Sequence, residues 1–149
     1  MTVAETVNHQ ERRTQSQHIV DELRQERKEV WALYCQIADL KPFADSADLV
    51  LQLKSFSEIL VDYVSLGHFG LFERVLSGTE RRNNILNIAR EVYPEYSTTT
   101  DNVVAFNDQY DDTKIKININ NLETDLSRLG EALAKRMEIE DKLCSVLLR

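Results

Sequence analysis

The chain has 149 residues, enough to bury one hydrophobic core without disulfide or metal staples. Its 42% hydrophobic and 29% charged residues are those of a folded globular protein, and four glycines and two prolines are too few for a many-turned β fold. A formal net charge of −7 sets the surface against nucleic-acid phosphates and favours a basic partner.

Residues 1–13 are polar and lack periodicity, so they read as a flexible arm ahead of one domain spanning 14–149. Glu5, His9, Gln10, Glu11, Arg12 and Arg13 leave no apolar run for export. No stretch approaches the ~20 apolar residues of a membrane span. These features place the protein in the cytoplasm as an expectation.

Thr14 and Gln17 have capping-box spacing, which predicts a helix start there. Ile19, Val20, Leu23, Val30, Trp31, Tyr34 and Ile37 follow at steps of three and four, one face of a helix that Pro42 ends. A second helix begins near Asp45 or Ser46 and buries Leu49, Leu53, Phe56, Leu60, Val64, Leu71 and Val75. Gly67 and Gly70 interrupt it and mark either a bend or a close approach to a neighbour, and Gly78 terminates it. Thr79 suits the cap of a shorter helix carrying Ile85, Ile88 and Val92, closed by Pro94. Thr98, Thr99 and Thr100 offer caps for another with Val103, Val104, Phe106 and Tyr110.

Ile115, Ile117 and Ile119 alternate at period two, but a lone strand has no partner, so Thr113 to Asn121 reads as an extended connector. Asn120 and Glu123 suit the start of a last helix carrying Leu122, Leu126, Leu129, Leu133, Leu143 and Leu147. The expected fold is all-α, an up-and-down antiparallel bundle of four long helices with shorter helical segments.

No GxGxxG, Walker, HExxH or GxSxG pattern is present, and His9, His18 and His68 form no ligand spacing. No Glu precedes a histidine by three residues, as a carboxylate metal site in a bundle requires. Asp111 and Asp112 are adjacent and point apart on a helix, a poor acid–base pair. Cys35 and Cys144 have no metal or redox spacing and read as reduced, buried thiols. The expectation is a protein that is not an enzyme, with no cofactor, no metal and no small-molecule substrate.

Two features exceed a generic bundle. Arg136 and Glu140, four apart, fall where the leucine seam of the last helix continues. They are either a structural ion pair or a polar floor beneath a groove. On the second helix, Ile59, Asp62, Leu66, Phe69 and Glu73, with Ser65 alongside, form a mixed stripe away from the core stripe. A helix apolar on two sides either packs against a third helix or offers a docking surface. An aromatic anchor beside a carboxylate suits an interface hot spot.

Leu60-Val61-Asp62-Tyr63-Val64-Ser65-Leu66-Gly67-His68-Phe69, followed by Phe72-Glu73-Arg74-Val75-Leu76, resembles the signature helix of the Rsd/AlgQ family, the regulators of sigma D. Leu129-Gly130-Glu131-Ala132-Leu133, with Arg136 and Glu140-Asp141-Lys142-Leu143, resembles its last helix, and Leu40-Lys41-Pro42 the turn after its first. The likeness runs from about Ile19 to Leu148. It departs at Glu22-Leu23, where the family commonly carries Arg-Trp, and in the Ile115–Ile119 connector.

The resemblance implies a helical-bundle anti-sigma factor that binds region 4 of the primary sigma factor, sigma D. That region is the helix-turn-helix that reads the −35 promoter element and docks on core RNA polymerase. Sequestering it would let alternative sigma factors compete as growth slows, with no direct nucleic-acid or membrane contact. The family's motif puts Asp62, Ser65 and Phe69 on the sigma-contacting face, Phe69 as apolar anchor and Asp62 as partner of a basic or polar group. The alternative is an adaptor of the same fold that binds a different cytoplasmic regulator.

Overall fold

The apolar stripes become the inner faces of four helices: α1 (Val3–Ala38), α2 (Ala47–Ser65), α3 (Asn83–Tyr110) and α4 (Ile119–Leu147). The computed structural model describes residues 3–110 and 119–149, with all their side chains except those of residues 4–9, 78 and 79. Among the described residues there is no strand, and no helix is long and apolar enough to cross a membrane.

Cross-helix contacts set the topology. Arg27, Trp31 and Tyr34 of α1 meet Asp141, Met137 and Leu126 of α4, with numbers running in opposite directions. Tyr34 meets Phe56, Phe56 meets Phe106, and Tyr110 meets Asp125. Each sequential pair is therefore antiparallel, and α1 closes against α4 as an up-and-down bundle. Leu23, Ile37, Leu53, Phe56, Leu60, Ile85, Leu122, Leu133 and Leu143 are all at most 2% exposed. Each such side chain contributes about 1.5–3 kcal/mol of burial.

Helix boundaries differ from the expected ones in three places. Helix α1 begins at Val3, so residues read as an arm are helical, and Thr14 Oγ1 donates to Gln10 O instead of capping. Arg74 helps hold this extension, donating through Nη2 to Arg12 O (3.3 Å) and Gln15 Oε1 (3.2 Å). Ser46 is the N-cap of α2, accepting from the Leu49 N–H, and the helix continues past Ser65, as the stripe through Val75 leads one to expect. It runs through right-handed helical backbone into π-helical stretches at Leu66–Glu73 and Val75–Thr79.

Helix α3 starts at Asn83 rather than Thr79, because the Glu80 carboxylate accepts the Arg82 N–H (3.0 Å) and the Arg82 carbonyl accepts from Ile85 and Leu86. It then continues through Pro94, where the sequence predicts a stop. Proline removes one ladder bond and crowds the preceding turn. Here the ring is exposed, and Val92, Tyr96, Thr99 and Val103 on either side are buried against the bundle, which outweighs that local cost. Thr98, Thr99 and Thr100 are not caps; Thr98 Oγ1 donates to Pro94 O, and the other two hydroxyls donate to Tyr96 O. Ile119 opens α4, while Asp111, Asp112, Ile115 and Ile117 lie outside the described residues. The thiols also separate: Cys144 is buried, its thiol pushed up to about 11 chiefly by burial, whereas Cys35 is exposed.

Arg136 and Glu140 are both 0% exposed, which makes them a buried structural network and not a groove floor. Glu140 accepts the Tyr63 hydroxyl on Oε1 (2.7 Å) and the Tyr96 hydroxyl on Oε2 (2.6 Å). Arg136 donates to Thr99 Oγ1 (3.3 Å), Thr100 Oγ1 (2.6 Å) and Val64 O (3.2 Å), and its guanidinium lies 3.9 Å from the Tyr96 ring centroid. Its Nε sits 3.5 Å from Glu140 Oε2, an ion-pair contact without a hydrogen bond. Burial pushes the Glu140 carboxyl up, opposed by Arg136 and the two tyrosine donors; burial and the Glu140 charge push both tyrosines up, so they remain donors. Tyr63, absent from the expected core stripe, is fully buried for this bond, while Val64 is only half-buried.

Gly67 exists for this network. A Cβ there would collide with Tyr96 Oη and stand 2.9 Å from Arg136 Nη2. Of the two meanings open for the glycines, close approach therefore applies at Gly67.

Two outcomes follow. Glu140→Ala should cost about 3–5 kcal/mol in urea unfolding, because it strands a buried guanidinium, and the paired Arg136→Met/Glu140→Leu change should cost less than that. A single-variant loss below about 1 kcal/mol would contradict the buried network. Gly67→Ala should destabilise by about 1–3 kcal/mol. Gly70→Ala should cost less, since its nearest neighbour is the flexible Leu66 Cδ1 at 2.9 Å.

Candidate partner-binding surface

The second stripe of α2 stays at the surface. Asp62 and Glu73 are exposed, Phe69 is 63% exposed, and Ile59, Ser65 and Leu66 are half-buried. None of the six is sealed in the core, so the stripe is not consumed by packing against a third helix. A large aromatic ring left mostly in water costs solvation free energy unless something else covers it.

Phe69 is held from below. Its ring meets His68 edge-on, with centroids 4.8 Å apart. His68 tilts against Tyr93 (6.4 Å), Tyr93 against Phe72 (5.9 Å), and Phe72 stacks on Tyr96 (4.1 Å). Tyr96 is the residue that bonds Glu140 and carries the Arg136 guanidinium on its face. A continuous aromatic ladder thus joins the buried charge network to the exposed ring. Such contacts contribute about 0.5–1.5 kcal/mol each beyond area burial and limit the freedom of the helix that presents Phe69.

Helix α1 adds charge beside the stripe. The Glu26 carboxyl is held above the usual carboxylate range, first by burial and then by Asp62, Glu22 and Glu29. Glu26 Oε2 is closed off from solvent with no hydrogen-bond partner. Among the described residues no lysine or arginine stands within ion-pair distance of these four acids; His18 Nε2 lies 4.0 Å from Glu22. The surface is therefore an apolar ridge with a flank of uncompensated negative charge. Leu23 enters the core at 1% exposure and Glu22 joins this flank.

Sequence reading missed two contributors. Leu51 is 63% exposed and precedes Asp62 by about three turns, so it extends the same face. That spacing was a usable signal. Glu26 carried none, because its meaning depends on Asp62 lying opposite in space. Among the described residues no group of three or more His, Cys, Asp or Glu is placed to hold a metal ion.

A regulator of sigma D from Yersinia enterocolitica is 31% identical over 134 residues, covering 86% of this chain and 79% of the relative. One from Enterobacter sp. strain 638 is 33% identical over 136 residues, covering 89% and 82%. No solved structure gives a significant match. The family described as "Regulator of RNA polymerase sigma(70) subunit, Rsd/AlgQ" matches residues 2–148, and the chain belongs to that family.

Proposed function

We propose that this protein is an anti-sigma factor that binds region 4 of the primary sigma factor through the α2 ridge. Binding there keeps sigma from core RNA polymerase and from the −35 element, in the cytoplasm, as growth slows. The role is stoichiometric and non-catalytic. The observation that carries the reading is an exposed Phe69, pinned by an aromatic ladder, beside acids that lack cations, in a member of a family of sigma(70) regulators. A DNA-reading helix-turn-helix is basic, so it supplies the missing charge. Phe69 acts as the apolar anchor, Asp62 and Glu73 face basic groups, and Ser65, Ile59 and Leu66 complete the contact.

Phe69→Ala should weaken binding to isolated sigma region 4 by about 2 kcal/mol or more in titration calorimetry. Because the ring is mostly exposed and its ring contact is with His68, folding stability should fall by only about 0.5–1.5 kcal/mol. Asp62→Ala should weaken binding too, and its effect should shrink at raised salt. Undiminished affinity in both variants would remove this ridge from the interface.

Affinity should also depend on pH. The Glu26 carboxyl is raised in the free protein, and a cationic partner lowers it in the complex, so binding releases a proton. Affinity is then full above the free-protein pKa of Glu26 and declines as pH falls through it. Glu26→Gln should flatten this dependence, as read by titrations in buffers of different ionisation heat. An unchanged pH profile in that variant would show that Glu26 is not at the contact.

A further inference from the structure

Six of the chain's eleven arginines, and no lysine among the described residues, line one recess. In a protein of formal net charge −7 this local reversal of sign calls for a counter-charge. The recess forms where separate parts of the chain converge. Arg12 and Arg13 come from α1, Arg74 from the helix that continues α2, Arg81 and Arg82 from the link into α3, and Arg149 from beyond α4. Its volume is about 740 Å³, inside the ~300–1,000 Å³ range of small-molecule sites.

The cations divide into two sets. Arg82 is fixed by the fold: it holds Glu80, with Nε 3.0 Å from Oε1, and donates to the carbonyl oxygens of Leu147 (3.4 Å) and Arg149 (3.3 Å). Arg74 is fixed through Arg12 O and Gln15 Oε1. By contrast, the guanidinium groups of Arg12, Arg13 and Arg81 form no ion pair among the described residues, and all three side chains are exposed. Among the described residues Glu80 is the only carboxylate side chain lining the recess, and Arg82 already neutralises it.

Exclusive use of arginine matters chemically. The planar guanidinium presents paired N–H donors that match phosphate oxygens bidentately, which a lysine ammonium does not. Six guanidiniums around one recess exceed what one phosphate can engage.

We propose that this recess binds a small anion carrying at least two phosphate groups, with the phosphates on the arginines. No residue of the α2 ridge lines it, so the proposal stands independently of the sigma reading.

The test is titration calorimetry of the full chain with pyrophosphate and with ATP (no magnesium added), and orthophosphate as comparator. Saturable one-to-one binding is expected for the first two, weakening with salt, with orthophosphate at least tenfold weaker. The Arg13→Ala/Arg81→Ala double variant should lose at least tenfold in affinity while its melting by circular dichroism is unchanged. Arg12→Ala provides a second exposed site should that variant fold poorly. No saturable heat from the wild type with either probe, or undiminished affinity in the double variant and in Arg12→Ala, would overturn the proposal. So would equally tight binding of duplex DNA, which would make the recess a general polyanion patch.

Discussion

The arrangement of this bundle depends on one buried interaction, the Arg136–Glu140 network. Two formal charges stand in a core made mostly of aliphatic side chains and aromatic rings. Desolvation at that depth is tolerated because the neighbours are specific. Two tyrosine hydroxyls serve the carboxylate, while two threonine hydroxyls and a backbone carbonyl serve the guanidinium. Those partners come from α2 and α3 while the charges come from α4. A shift of any one helix along its axis would strand a charge, so the network favours a single register of three helices.

That constraint reaches the surface. Gly67 lets α2 press against Tyr96 and Arg136, and the helix takes up π geometry over Leu66–Glu73. A π turn holds an extra residue, which shifts the faces of all that follows it. Phe69 lies inside this stretch and is braced through His68, Tyr93 and Phe72 back to Tyr96. A mostly exposed ring is thus backed by a chain of ring contacts, which lowers the ordering cost of binding a partner.

Charge is distributed as unevenly as apolar surface. Glu22, Glu26, Glu29 and Asp62 gather on one side of the α1–α2 pair, and arginines gather at the end where α1, the link into α3 and the end of α4 meet. Net charge alone conceals this. An overall excess of acid describes the long-range field that a partner meets first. Local chemistry follows from which side chains the fold brings together.

Periodicity determined much of this protein, because apolar spacing is a local property of the chain. The four buried stripes, the Ser46 cap, and a second α2 stripe bearing Asp62 and Phe69 were all legible as spacings of three and four residues. The family followed from two contiguous motifs. Contacts between residues far apart in the chain decided the rest. Pro94 and three threonines carry the local marks of a helix boundary, yet packing of Tyr96, Thr99 and Val103 carries α3 through them. Whether Arg136 and Glu140 floored a groove or filled a core depended on where Tyr63 and Tyr96 lay. The acidity around Glu26 and the arginine recess each need segments from different helices side by side. Their meaning lies in distances through space, and a helical period reports only which residues share a face.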